Sequence, residues 1–452
     1  MKKTTLAQSA RNKLISHILS KKSTSTADKP SIASRAATNV APRTSVSDIP
    51  EAYVRFDQHP AYEQMLVSKA VSTRLGLQNP FFKMHDGSAS ASTLIDGREY
   101  LNFASYNYLG MAGHPKINQA AKDAIDRYGT TVSASRLVAG ERPIQRELEN
   151  ALADVYGVDD CVVFVSGHAT NVSTIGHLFG PRDLVVHDSL IHNSVLMGIQ
   201  LSGAARRSFA HNDMQDLERI LSEVRTQFER VLIVVEGVYS MDGDIADLPT
   251  LIELKRRYKA FLMVDEAHSL GILGQKGFGL HEYYDVDGRE VDIWMGTLSK
   301  TLASCGGYIC GDRALVEHLK YAAPGFVYSV GIAPPLAAAS IEALALMKAE
   351  PERVTRLQHN CASFLSMLKN QGLATGYAQG HALVPVMTGG SIQAVSLSNA
   401  LYEEGIHVQP IIYPGVEEKA ARLRFFLSAE HDEAQLEHTV QVLTQTMKRI
   451  GK

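Results

Sequence analysis

Cysteine is scarce and unpaired in this chain: four in 452 residues, at Cys161, Cys305, Cys310 and Cys361, with no CxxC spacing among them. That speaks against a disulfide scaffold or a thiolate metal site, and fits buried structural thiols in a reducing, cytoplasmic-type compartment. The 17 histidines form no HExxH or comparable ligand spacing, so no metal site is expected. No apolar run approaches the roughly 18 residues that a membrane span needs. Charge of neither sign dominates: 45 Lys and Arg stand against 48 Asp and Glu, a formal net charge of −3, which argues against a polyanionic partner such as nucleic acid. No Walker A sequence and no GxGxxG after a strand is found, which removes the common nucleotide-binding motifs. What remains is an ordinary globular composition, 45% hydrophobic and 21% charged, in a chain long enough for two or more cores.

The most informative stretch runs from Asp292 to Ile309. Thr297, Ser299 and Thr301 bracket a lysine, Lys300, and the pair Gly306-Gly307 then leads into a short apolar run. A lysine that holds an aldehyde cofactor as a Schiff base needs such a partly desolvated, hydroxyl-lined turn, where its neutral form is reachable. Upstream, Phe261-Leu-Met-Val-Asp-Glu-Ala-His268 reads as an apolar strand ending in an acid, with a histidine three residues on. Alone, a lysine among hydroxyls is usually a solvated lysine, and an acid at a strand end is usually a cap. Together, in this order and spacing, they read as two halves of a pyridoxal phosphate site, Lys300 for the aldehyde and Asp265 for the ring nitrogen.

Residues 1–48 are rich in Ser, Thr, Ala and basic residues, with no acid before Asp28. Leu6, Leu14, Ile15, Ile18 and Leu19 could share one face of a short helix. A flexible basic tail, an organelle transit peptide and a surface-seeking amphipathic helix all fit this text. Residues 49–110 read as an N-terminal arm and hairpin. Pro50 to Leu77 is the helical arm, with Tyr53, Phe56, Tyr62, Met65 and Leu66 at helical spacing. Asp96-Gly97 is the turn of a hairpin that begins at Thr93. From 111 to 333 helical text alternates with short, wholly apolar β-runs, at 161–165, 184–186, 231–235 and 261–264, with Tyr308-Ile309 a further candidate. This predicts an α/β large domain with a mostly parallel, doubly covered sheet, whose ligands gather at the carboxyl ends of the strands. Pro334-Pro335 marks the passage to a smaller C-terminal α/β domain, 334–452, with strands at 383–387 and 406–408 and a final helix near 432–448.

Eight motifs in order, "NFASYNYLG", "SRLVAGERPIQRELE", "HDSLIHNS", "FAHND", "VEGVYSMDGD", "VDEAHSLG", "TLSK" and "ARLRFFLSAEH", resemble the α-oxoamine synthase family of fold-type I pyridoxal-phosphate acyltransferases, which includes serine palmitoyltransferase and 8-amino-7-oxononanoate synthase. The resemblance covers roughly residues 90–448. It implies that Lys300 carries the cofactor and acts as base at the substrate α-carbon, and that Asp265 keeps the pyridine nitrogen protonated. It implies that His268 bonds the cofactor's phenolic oxygen and that His192 stacks on its ring. Ser166, Gly167 and His168, at a strand-to-helix turn, would receive the phosphate with Thr297, and Ser240 would lie near the cofactor. Asn107 and Arg424 would receive the substrate carboxylate, with Arg422 a weaker candidate. Glu236 and Glu266 read as structural, and Lys255-Arg256-Arg257 as a solvated helix face. The implied partners are a small amino acid (serine, alanine or glycine), an acyl thioester on CoA or a carrier protein, and a second copy of the chain. Three positions depart from the family's pattern. Gln145 stands where a histidine is common, and His168 where an aromatic residue often follows Ser-Gly. Ser329 alone remains of a Ser-Thr-Ser pattern that commonly reaches the partner's phosphate.

Overall fold

The computed structural model describes residues 45–450, so the readings for the first 44 residues lie outside the described residues. Two compact units result, one ending at Val71 and the other beginning at Ser72. In the first, Val46–Asp48, Glu51–Tyr53 and Phe56–Gln58 are separate 3₁₀ turns, and only Pro60–Arg74 (α1) is an α-helix. The continuous helix expected from Pro50 does not form: Pro60 fits a helix only in its first turn and begins a new one there. None of the residues of α1 is buried, and Tyr53 and Phe56 are 68% and 92% exposed. The apolar positions expected to share one face are spread over different elements.

The second unit begins with β1 (His85–Asp86), β2 (Ser92–Ile95) and β3 (Arg98–Asn102). Asp96 and Gly97 join β2 to β3 with φ of 51° and 76°, the pair of positive values a two-residue turn of this hand requires. Next come α2 (Pro115–Tyr128), α3 (Pro143–Tyr156), β4 (Asp160–Phe164), α4 (Gly167–Leu178), β5 (Leu184–Asp188), α5 (Asn193–Ser202), β6 (Ala205–Phe209), α6 (Met214–Val224), β7 (Val231–Glu236), α7 (Leu248–Tyr258), β8 (Phe261–Asp265), α8 (Leu280–Tyr283), β9 (Ile293–Thr297) and β10 (Gly307–Gly311). After these follow α9 (Arg313–Ala322), α10 (Pro324–Val327), α11 (Pro334–Ala349), α12 (Glu352–Asn370), β11 (Leu383–Met387), α13 (Ser391–Glu403), β12 (Ile406–His407), β13 (Gln409–Ile411), β14 (Arg422–Phe426) and α14 (Glu433–Ile450).

Seven strands form the central sheet in the order β4-β10-β9-β8-β7-β5-β6, all parallel except β10, which runs antiparallel to both neighbours. The apolar β-runs are explained by what covers them. Val231, Ile233 and Val235 of β7 face one core while Leu232 and Val234 face another, so every position is buried. Burying each such side chain contributes about 1.5–3 kcal/mol. Strands β6 and β9 and the 19-residue helix α12 were not expected. Strand β6 is an edge strand with Arg206 and Arg207 exposed, so it lacks the apolar signature of its neighbours.

Packing crosses both expected domain boundaries. Helix α11 lies against α2 and α3, and β12 joins β3 in parallel to extend the hairpin sheet, while β11-β14-β13 form a separate antiparallel sheet. The Pro334-Pro335 pair opens α11, at the positions where a helix accepts proline. Cys161, Cys310 and Cys361 are buried as expected, but Cys305 is exposed, in the loop between Lys300 and β10. Among the described residues, no helix is long and apolar enough to cross a membrane.

Candidate active site

The carboxyl ends of β7, β8 and β9 and the amino ends of α4 and α5 enclose a cavity of about 90 Å³. Gly167, His168, His192, Asp265, His268, Thr297 and Lys300 all line it. Open parallel sheets place ligands there because successive loops diverge at the strand ends.

Asp265 is the last residue of β8. It is buried, its Oδ1 accepts from Ala267 N–H (3.0 Å), and its Oδ2 accepts from Asn171 Nδ2 (2.9 Å). The same Asn171 nitrogen donates to Ser194 Oγ (2.9 Å), which leaves the Ser194 hydroxyl to donate to His192 Nδ1 (2.7 Å). His192 caps α5, its Nδ1 also accepting from Ser194 N–H, so its neutral ring carries the proton on Nε2. Burial lowers its pKa, opposed by Asp265 and reinforced by Lys300. A chain of four side chains thus fixes the acid below and the imidazole beside one space. Asn171 and Ser194 were not singled out from the sequence; their spacing on two helices separated by a strand gives no local signal.

His268 is buried, and Tyr108 Oη lies 2.7 Å from its Nδ1. Burial, then the charges of Lys300 and Arg424, push its pKa well below the usual value, so the ring is neutral. Lys300 follows β9 at the cavity wall, 5.7 Å from the centre of the Tyr106 ring. Burial lowers its pKa to about 8 against the pull of Asp265 and Glu236. An amine so depressed reaches its neutral, nucleophilic form near physiological pH.

Ser166, which does not itself line the cavity, caps α4, accepting from Ala169 N–H (3.4 Å), while the first N–H groups of that helix have no intrahelical acceptor. Thr297 Oγ1 donates to Gly306 O (3.0 Å) and lies so near Gly167 that a Cβ there would come within 2.9 Å of it. A Cβ on Gly307 would stand 2.7 Å from the Gly167 Cα. Glycine at both positions lets helix, hydroxyl and strand converge, a cradle with free donors suited to a phosphate.

Arg424, on β14, is partly buried with its guanidinium over the Phe426 ring (4.6 Å to the centre). It donates to Ser240 O (2.8 Å), its Nε is buried without a partner, and it makes no ion pair among the described residues. Arg422, by contrast, is held by Asp242 (2.7 Å). Arg424 is therefore the guanidinium left for a ligand anion. Ser240 does not line the cavity; its carbonyl positions Arg424 and its N–H donates to Glu236 Oε2 (2.9 Å).

Asn107 does not line the cavity and is tied into its own surroundings. Its Nδ2 donates to Ala89 O (2.6 Å), and its Oδ1 accepts from Met111 and Ala112 N–H (2.8 and 3.0 Å). The buried amide is a clamp on the loop, and its neighbour Tyr106, packed edge-on to Phe426 and His268, is the residue turned to Lys300. Glu236 also differs from its expected structural place, since it lines the cavity. Glu266 holds Leu280 N–H (3.2 Å to each oxygen). Buried Gln145 caps α3 through Arg142 N–H (2.9 Å) and donates to Ile332 O. Of the basic run only Arg256 and Arg257 are exposed; Lys255 reaches Asp292 (2.7 Å) at the start of β9.

Behind the cavity His211 bridges two buried acids, Asp188 (2.9 Å to Nδ1) and Asp244 (2.8 Å to Nε2), tying the loop after β5 to that after β7. Both carboxylates overcome burial and raise its pKa to about 10. A folded pKa above the unfolded value near 6.5 gives stability fully present below about pH 6.5 and lost as pH rises through 10. His211→Ala should cost about 3–5 kcal/mol at pH 6, because it leaves two buried acids without their cation. Melting curves at pH 6 and pH 10 check this: the gap to wild type should shrink at the higher pH.

A lysine, a buried acid, a helix-capping imidazole and a cradle of free N–H donors, set at the strand ends of this sheet, define a fold-type I pyridoxal-phosphate transferase. The donor set fits the cofactor: a carboxylate for the ring nitrogen, unpaired helix N–H groups and a hydroxyl for the phosphate, and an amine for the aldehyde.

Residues 98–443 match the family described as aminotransferase class I and II. The chain is 38% identical over 376 residues to 8-amino-7-oxononanoate synthase of Symbiobacterium thermophilum, covering 83% of this chain and 95% of that protein. It is 37% identical to 4-hydroxy-2,2'-bipyrrole-5-methanol synthase PigH of a Serratia species, over 78% of this chain and 54% of the relative. Serine palmitoyltransferase of Sphingomonas wittichii superposes with a TM-score of 0.83 at 27% identity, covering 87% of this chain and 98% of the other. The protein belongs to the aminotransferase class I and II family and, within it, to the α-oxoamine synthases: it is a pyridoxal-phosphate-dependent C-acyltransferase.

Proposed function

We propose that the enzyme joins a small amino acid (serine, alanine or glycine) to an acyl thioester, on CoA or a carrier protein, releasing CO2 and the free thiol and leaving an α-amino ketone. The observation that carries this reading is the partly buried Arg424 guanidinium, whose Nε is buried without a partner and which makes no ion pair among the described residues, near enough to Lys300 and Tyr106 for their charges to act on one another. Bound pyridoxal phosphate supplies an electron sink for the bonds to the substrate α-carbon. Arg424 takes the amino acid's carboxylate through its planar fork. Lys300, neutral above about pH 8, takes the α-proton. Asp265, locked by Asn171, would balance a positive ring nitrogen, and His192, capping α5, would cover the ring face. The thioester carbonyl then receives the α-carbon, the thiol departs, and the carboxylate leaves as CO2.

The name 8-amino-7-oxononanoate synthase supports an amino ketone product, and the likeness to serine palmitoyltransferase accords with a fatty acyl group. A homodimer accords with the fold type. Titrating the holoenzyme with serine, alanine and glycine, and following cofactor absorbance before adding acyl-CoA, tests the reading. One amino acid should shift the spectrum, with CO2 appearing only when the thioester is present; keto acid release without thioester would instead mean transamination. Arg424→Ala should raise KM for the amino acid about 10- to 10³-fold, the loss expected when a buried charge pair is broken, and leave KM for the acyl donor within about threefold.

A further inference from the structure

Glu236 ends β7 in register with Asp265 at the end of β8. Paired residues of parallel strands project from the same face, so two carboxyl groups stand side by side in the cavity lining, which Lys300 shares. Glu236 is buried; its Oε2 accepts from Ser240 N–H (2.9 Å), and its Oε1 is buried with no partner. The charged groups that face it are Asp265 from β8, Lys300 from the loop after β9 and Arg424 from β14. Both oxygens of Asp265 accept, from Asn171 and Ala267, whereas Glu236 is held by Ser240 alone and its Oε1 has no partner. Two adjacent carboxyls in a dry site do not both ionise, and the one with an unpartnered oxygen keeps the proton.

We infer that Glu236 is a neutral carboxylic acid that presents its Oε1 hydroxyl to the cofactor cavity, leaves Asp265 as the single carboxylate there, and as a positioning residue keeps the Lys300 amine within reach of its neutral form. A second carboxylate in this lining would hold the lysine protonated. Burial and the neighbouring Asp265 raise the Glu236 pKa to about 8, in line with the geometry. The role rests on the assignment of this cavity to pyridoxal phosphate, so its test has one arm that needs no cofactor.

In the first arm cofactor-free wild type and Glu236→Gln are melted across pH. An acid that keeps its proton on folding up to about pH 8, while the unfolded chain releases it near 4.3, destabilises the fold as pH rises between those values. Wild type should therefore lose melting temperature relative to Glu236→Gln from about pH 5 to 8, with a constant gap above. Parallel curves through that range would mean an ionised Glu236 and overturn the inference. Glu236→Met serves the same comparison should Gln not fold. In the second arm the absorbance of bound cofactor is titrated. The two profiles should coincide below about pH 8 and separate above, where wild type gains a carboxylate beside Lys300. A Glu236→Gln profile already displaced near pH 7 overturns the neutral acid. Profiles identical at every pH overturn its link to Lys300.

Discussion

Lys300→Ala should abolish turnover, by at least about 10³-fold in kcat, while leaving the fold intact. The general-base role alone accounts for about 10²–10⁴-fold, and the variant also loses the amine that holds the cofactor's aldehyde. The cofactor should then be removable by gel filtration, since only the phosphate cradle and Asp265 remain. Lys300→Arg is the discriminating control: it keeps the positive charge between Asp265 and Glu236, but a guanidinium does not become neutral in a protein. If charge were the contribution of Lys300, Arg would rescue; loss in both variants assigns the role to the neutral amine. The same depressed pKa has a consequence for stability. A lysine with a folded value of about 8 and an unfolded value near 10.4 weakens the fold below pH 8, and that penalty disappears as pH rises to 10.4. Cofactor-free Lys300→Met should thus melt above wild type at pH 7 and converge with it above pH 10. Activity of Lys300→Ala above about a hundredth of wild type would falsify the assignment.

The chemistry-bearing residues were legible because each sits where a short apolar run ends. Asp265 closes β8 and Ser166 follows β4, apolar runs whose pattern survives in one dimension, whereas Thr297 closes the unexpected β9 and was reached through its motif. Lys300 was legible through its hydroxyl neighbours. The supporting residues were not. Asn171 and Ser194 are interior to or near the starts of helices, where a polar residue reads as helix text, and only the sheet brings them to Asp265 and His192. Asn107 was legible from its motif, but the bonds that hold its amide, to Ala89, Met111 and Ala112, were not. Glu236 was passed over because an acid at a strand end carries no mark of its partner across the sheet. Its meaning lies in the β7–β8 register, which sequence spacing does not encode. Strand β6 was lost to its own exposure, since an edge strand with two arginines has no alternation to read.

Asp265→Asn should lower kcat by about 10²–10³-fold or more, the usual scale for removing one preorganised electrostatic partner from a dry site. The substitution is nearly isosteric, yet the two donors that hold the carboxylate, Asn171 Nδ2 and Ala267 N–H, both require an acceptor. An amide satisfies one and sets its own NH2 against the other, at a cost of about 1–3 kcal/mol in stability. The rate loss and the stability loss are separable: Asn171→Ala removes one donor, keeps the charge, and should reduce kcat far less than Asp265→Asn. The neighbouring acid makes a sharper prediction. Burial and then the neighbouring Asp265 keep the proton on Glu236, so Asp265→Asn lowers its pKa below the wild-type value of about 8 and lets it supply part of the missing negative potential to the ring nitrogen. The double variant Asp265→Asn with Glu236→Gln should then fall below the product of the two single losses, and the coupling should grow as pH rises towards about 8, where Glu236 ionises in the single variant. Measuring kcat for all four proteins across that range decides the matter. Simple additivity at every pH would mean that the two carboxyls do not share a charge, and kcat for Asp265→Asn within tenfold of wild type would remove Asp265 from the ring nitrogen altogether.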